Sequence, residues 1–265
     1  MTTVNTNTDQ RLLCRRAWVE SVLFTTFLNP ICVKRSMTLY TNLMYSTLLL
    51  ITSAQAYNPT WAELKDSSGW TIQDTVQTKV GAVVVKKKLI DGFPCFSGTA
   101  KYPEQLNIPL MIEIASDAES AITWSSAGIT DAKTLSVTNT SVDYWQYLSI
   151  PVFSDRMWFL RGYFERDGEA FLFRWEKLDN GGPHKEFYKA KIEQFPHAEV
   201  TPINLGAWRI QQVDNTTVVQ YSICSHPGGS ISPMFQSIAT ESTLPNNLVD
   251  MIQETKRQMN LHEKP

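Results

Sequence analysis

Arg161 is the side chain whose type and setting point most sharply to chemistry. It alternates with Phe159 and Tyr163 along Met157–Glu165, a run that reads as a β-strand. Successive residues of a strand face opposite ways, so one face carries Met157, Phe159, Arg161 and Tyr163 and the other Trp158, Leu160, Gly162 and Phe164. The next strand offers the same choice, Phe171, Phe173 and Trp175 against Leu172, Arg174 and Glu176. A guanidinium turned inward needs an anion, because an unpaired buried charge is costly; Glu113, Glu176 or the charged group of a ligand would supply it. Turned outward, Arg161 would pair with Glu176 or Glu193. Taken together, these aromatics exceed what a thin sheet needs to cover one helix, which favours a core with a pocket.

Other chemistries find little support. His184, His197, His226 and His262 lack the close His-x-x-x-His spacing of a zinc site, and no Cys-x-x-Cys pair occurs. A Gly-x-Ser-x-Gly elbow and a P-loop are both missing. Gly228-Gly229 is too short to cradle phosphates and reads as a turn. No catalytic residue, metal site or cofactor is expected. Asn139 and Asn215 stand in N-x-S/T sequons, which count only where the source glycosylates.

The elements that would position these side chains are mostly strands. Trp61 and Leu64 suggest a short helix, followed by strands at Trp70–Gln73, Thr78–Leu89 and Phe93–Lys101, the last after an Asp91-Gly92 turn. Between Ile108 and Trp124 the period changes to that of one or two short helices, with Asn107 before Pro109 as a helix start. Strands return at Thr134–Asn139, Asp143–Ile150, Met157–Glu165, Ala170–Leu178, Glu186–Phe195, Leu205–Val213 and Thr216–Cys224. A closing helix carries Leu244, Leu248, Met251, Ile252, Thr255 and Met259 on one face. This order predicts an α+β fold, a curved antiparallel sheet gripping the Leu244–Met259 helix and enclosing a cavity of several hundred Å³.

The 265 residues are 43% hydrophobic, 11% aromatic and 19% charged, which suits one domain of about 200 residues plus an extension. Residues 57–265 carry 19 basic against 24 acidic side chains, so a basic nucleic-acid footprint is absent. Residues 1–56 read as an N-terminal extension: Lys34-Arg35, an apolar run from Leu43 to Ile51, then Ala54-Gln55-Ala56 as a small-x-small cleavage site. The run is too short to span a bilayer. Its basic end lies upstream of Met37, and Val33 read as an initiator would give an ordinary signal start, so residues 1–32 look like an over-extended gene start. The other reading is an amphipathic helix around Leu12–Leu28 followed by an anchor. The expectation is an exported protein, periplasmic or secreted, whose mature domain spans 57–265. Cys95 and Cys224 are then the cysteines that remain, inviting a disulfide, with two buried thiols as the other option.

Four local features resemble the START (StAR-related) lipid-transfer domains of the helix-grip superfamily, over roughly Trp61 to Met259. They are Asp117 with Trp124 after the first helices, the Pro151–Arg156 loop, Trp208 after Ile203 and Gly206, and Pro227-Gly228-Gly229-Ser230-Ile231 before the last helix. The chain departs from that pattern at Met157 after Arg156, at His226, and at Pro233, which comes one place late. None of these motifs is catalytic, and a fold does not fix a function.

The resemblance implies a non-enzymatic module holding a hydrophobic small molecule, a lipid or sterol-like ligand, with transient membrane contact. The expected lining is Trp124, Phe159, Arg161, Tyr163, Phe171, Phe173, Trp208, Met251 and Thr255, with Val152 and Phe153 as the gate. An alternative from the same superfamily is a polyketide cyclase or aromatase, which needs at least two polar groups converging in the cavity. A third is an interaction module with a filled interior. In a helix-grip sheet the strand before the first helices pairs with the last strand, which places Cys95 beside Cys224 and implies their bond.

Overall fold

The computed structural model describes residues 59–150, 154–229 and 233–262, with side chains in the last helix from Ser242 to Leu261. The expected extension, signal and cleavage site lie outside the described residues.

The chain opens with helix α1 (Trp61–Lys65), capped reciprocally: Glu63 N donates to Thr60 Oγ1, and Thr60 N donates to the Glu63 carboxylate. Strands β1 (Thr71–Thr78), β2 (Gly81–Ile90) and β3 (Phe93–Tyr102) follow as a meander. Asp91 and Gly92 both take positive φ in the β2–β3 turn, as a two-residue hairpin requires. Helix α2 (Ile108–Ser116) starts at Asn107, whose side chain accepts from Leu110 N at 3.0 Å, and α3 (Ala121–Trp124) completes the helical corner. Then come β4 (Ile129–Val137), β5 (Ser141–Leu148), β6 (Arg156–Asp167) and β7 (Ala170–Lys177). After them stand helix α4 (Lys185–Gln194), the short β8 (Glu199–Val200), β9 (Ile203–Val213), β10 (Thr216–His226) and the long α5 (Pro233–His262).

All ten strands form one curved, open sheet in the order β1-β2-β3-β10-β9-β7-β6-β5-β4, antiparallel except where β8 runs beside the start of β6. On its concave side Leu244, Leu248, Met251 and Ile252 of α5 are buried in one core with Val83, Val85, Phe96, Ala100 and Val219 of the sheet and Met111 and Ile114 of α2. Each of these side chains larger than alanine contributes about 1.5–3 kcal/mol of transfer free energy. The helix lies close because β3 carries glycine at the contact: a Cβ on Gly98 would stand 1.9 Å from Leu244 Cδ2.

On the convex side α1 covers Ile90, Phe93, Cys95, Leu205 and Cys224, and α4 covers Trp145, Met157 and Phe159. Here one expectation fails, since Glu186–Phe195, read as a strand, is helical apart from its last residue. Phe187, Tyr188, Ile192 and Phe195 form one stripe on Trp145, Met157 and Phe159, and the Lys, Glu, Ala and Gln between them are strong helix formers. The last helix is also longer than expected, beginning with Pro233 at its first turn, where a missing N–H costs nothing.

Cys95 and Cys224 are joined, with Cα atoms 4.4 Å apart and a sequence separation of 129. They stand one place beyond the Ile223–Phe96 pair of the β3–β10 ladder, on the convex face beneath α1.

Candidate functional site

Even-numbered residues of β5 and β6 and odd-numbered residues of β7 and β10 face the concave side. There a cavity of about 290 Å³ opens between the sheet and the helices. Tyr144, Trp158, Leu160, Phe173, Trp175, Trp208 and Tyr221 line it from the sheet, Ala118, Ala121 and Trp124 from the α2–α3 corner, and Leu244 and Asn247 from α5. The indoles are oriented by polar neighbours: Trp158 Nε1 donates to Gln146 Oε1 at 2.8 Å, Trp175 Nε1 to Asn204 Oδ1 at 2.9 Å, and Trp124 Nε1 to Ser120 Oγ at 3.2 Å. Burial raises the pKa of Tyr144 and of Tyr221, and in Tyr144 the Tyr221 phenol adds to the rise, so both phenols stay neutral donors at ordinary pH.

Alternation left the inner face of the strand containing Arg161 open, and the structure turns inward the face opposite to the one in the expected lining. Trp158 and Leu160 line the cavity, whereas Phe159, Arg161 and Tyr163 lie on the convex side and take no part in it. Arg161 makes a two-pronged ion pair there with Asp143, Nε to Oδ1 at 2.6 Å and Nη2 to Oδ2 at 2.7 Å, and His184 Nε2 meets the same carboxylate at 2.9 Å. None of the partners expected for Arg161 is used. Glu176 instead accepts from the Tyr163 hydroxyl at 2.7 Å. Alternation was unable to choose between the faces because α4 makes the convex face of β6 apolar as well.

Of the remaining expected lining residues, Trp124, Phe173 and Trp208 are in place. Phe171 has the strand parity of Phe173 but stands outside the cavity, its ring covered by the Arg166 guanidinium at 3.2 Å. Met251 is fully buried in the core, and the Thr255 hydroxyl is spent on the Met251 carbonyl at 2.8 Å, so neither lines the cavity. Val152 and Phe153 lie outside the described residues.

Arg156, Thr201 and Asn247 were missed, and with Asp117, Gln146 and Asn204 they are among the polar members of a mostly apolar lining. Arg156 begins β6 with the parity of Trp158, which is the signal that would have found it once the face was known. Its guanidinium donates to the backbone carbonyls of Ser154, of Asp155 at 3.2 Å and of Gly228 at 3.4 Å. Burial lowers its pKa, against the opposing pull of Glu199 and Asp155. Burial and the Arg156 charge together hold the nearby His226 below the ordinary histidine value, so it is neutral at pH 7. Among the described residues no cluster of three or more His, Cys, Asp or Glu side chains is arranged to hold a metal, and no helix is long and apolar enough to cross a membrane.

No protein-family model matches the chain, and no curated protein sequence is significantly similar to it. Solved structures are similar. A STAR-related lipid transfer protein from Xanthomonas axonopodis matches at 18% identity and TM-score 0.58, over 71% of this chain and 99% of that one. Human STARD10 matches at 12% identity and TM-score 0.57, over 78% and 86%. Human StAR-related lipid transfer protein 5 matches at 12% identity and TM-score 0.56, over 74% and 90%. With its open antiparallel sheet wrapped on a long C-terminal helix around an internal cavity, this chain has the helix-grip fold of the START domains.

Proposed function

We propose that this protein is an exported, non-enzymatic carrier that holds a hydrophobic ligand, a lipid or a sterol-like molecule, in the cavity and moves it between membranes. The observation that carries the reading is an unfilled 290 Å³ space walled by aromatic and aliphatic side chains between α5 and the sheet. A space of that size sits at the lower end of small-molecule sites and suits one apolar chain or ring system. Each CH₂ moved from water into such a wall gains about 0.8 kcal/mol. Between a bilayer and the cavity the same group exchanges one apolar surrounding for another, so transfer is near thermoneutral and release to an acceptor membrane is not penalised. The solved structures similar in fold are named as lipid-transfer proteins, which agrees with this reading. The Cys95–Cys224 bond agrees with export, since disulfides persist in oxidising compartments.

Native mass spectrometry of the protein purified from its own host tests the proposal. A non-covalent adduct of lipid mass, lost on denaturation and recovered by organic extraction, is the expected result. A bare polypeptide mass that stays bare after incubation with lipid vesicles would refute it.

A further inference from the structure

Arg156 is 3% exposed and lines the apolar cavity. Among the described residues its hydrogen-bond partners are backbone carbonyls, and its Nε finds no acceptor there. Its nearest acidic neighbours are otherwise occupied or too distant for an ion pair. Asp155 takes the Tyr147 hydroxyl, the Ser149 hydroxyl and the Ile150 N–H, and Glu199 is felt only through space. Two further buried polar atoms of the lining lack partners among the described residues, Thr201 Oγ1 and Asn247 Oδ1, and Thr201 is 2% exposed. Proteins rarely leave such groups unsatisfied, and three in the lining of one cavity mark a place where something else completes the hydrogen bonding. A planar guanidinium is suited to a carboxylate or phosphate, and a hydroxyl can donate to the same group. Asp117, the lining carboxylate, stands at the α2–α3 corner and accepts from Ser120 N at 3.1 Å, so an acidic group is directed to Arg156 instead.

We propose that the ligand is a single-chain amphiphile with an acidic head, a carboxylate or a phosphate, held by Arg156 and Thr201 while Asn247 accepts from a hydroxyl beside it. The apolar tail lies against Trp158, Phe173 and Trp208. This rests on the cavity-binding reading above and names its ligand class.

The test uses the full chain and three probes that share a decyl tail: decanoate, decyl phosphate and decan-1-ol, titrated by calorimetry at pH 7.5. At least one acid should bind about ten-fold or more tighter than the alcohol, and which acid wins separates the carboxylate from the phosphate source. Arg156→Met should abolish that preference while keeping the affinity for decan-1-ol within about two-fold. Should Arg156→Met fail to fold, Thr201→Val serves in its place, with a several-fold loss of affinity for the acid and none for the alcohol. Equal affinity of the unmodified protein for acid and alcohol overturns the acidic-head proposal and leaves cavity binding standing. An acid preference that survives in folded Arg156→Met overturns the role of Arg156. Binding of none of the three probes overturns both readings.

Discussion

Asp143 has 2% of its side chain exposed on the convex face of β5 and is paired with both Arg161 and His184. Burial pushes its carboxyl up, and the hydrogen bonds from Arg161 and His184 outweigh that, holding it below the ordinary aspartate value. A native pKa below the unfolded one contributes stability that is complete above the unfolded value and is lost as pH falls through the native one. Asp143→Asn is therefore expected to cost about 1–3 kcal/mol at pH 7, a charged hydrogen-bonded pair being lost. The gap to the unmodified protein should close in urea titrations carried down to pH 3 or below. A constant gap across that range would show that the carboxylate charge is not what stabilises the site. Arg161 itself was legible as a residue needing an anion, but Asp143 as that anion was not: the partner lies across a strand pair whose register only the folded sheet defines.

Helix α5 and the strand beneath it are matched by the absence of a side chain. Gly98 lets Leu244 and Leu248 rest on the β3 backbone, and a Cβ there would come within 1.9 Å of one and 2.9 Å of the other. Gly98→Val should cost about 1–3 kcal/mol through overpacking. It should also raise amide exchange along α5 more than along β5 or β6, as hydrogen-exchange mass spectrometry would register. Uniform loss of protection over the whole sheet would argue instead for a general folding defect. The greasy stripe of α5 was visible in the sequence because a single partner face imposes a single period. Helix α4 was misread because ten residues with few β-branched side chains and a short apolar stripe satisfy either period until Trp145, Met157 and Phe159 are seen beneath them.

At the level of the whole molecule, the Cys95–Cys224 bond ties β3 to the end of β10, just ahead of the turn into α5, across a sequence separation of 129. Replacing both cysteines by alanine should lower stability by about 2–5 kcal/mol, the usual cost of losing a native disulfide, measured as a shift of the urea midpoint. Both cysteines are 0% exposed beneath α1, so the bond should resist dithiothreitol in the native protein and yield only with global unfolding. Rapid reduction under native conditions would mean that α1 opens locally.

What the amino-acid order determined by itself is the set of elements that have one apolar face and a local stop signal. The Asp91-Gly92 hairpin, the Asn107 cap and the stripe of α5 are of this kind, each set by residues within a few positions of one another. The tertiary structure decided which side of β6 is the inside, because with helices over both faces of the sheet hydrophobic alternation carries no sign. It also decided the polar character of the cavity. Arg156, Thr201 and Asn247 come from β6, the β8–β9 turn and α5, and a missing hydrogen-bond partner is a property of the space they share, not of any one stretch of chain.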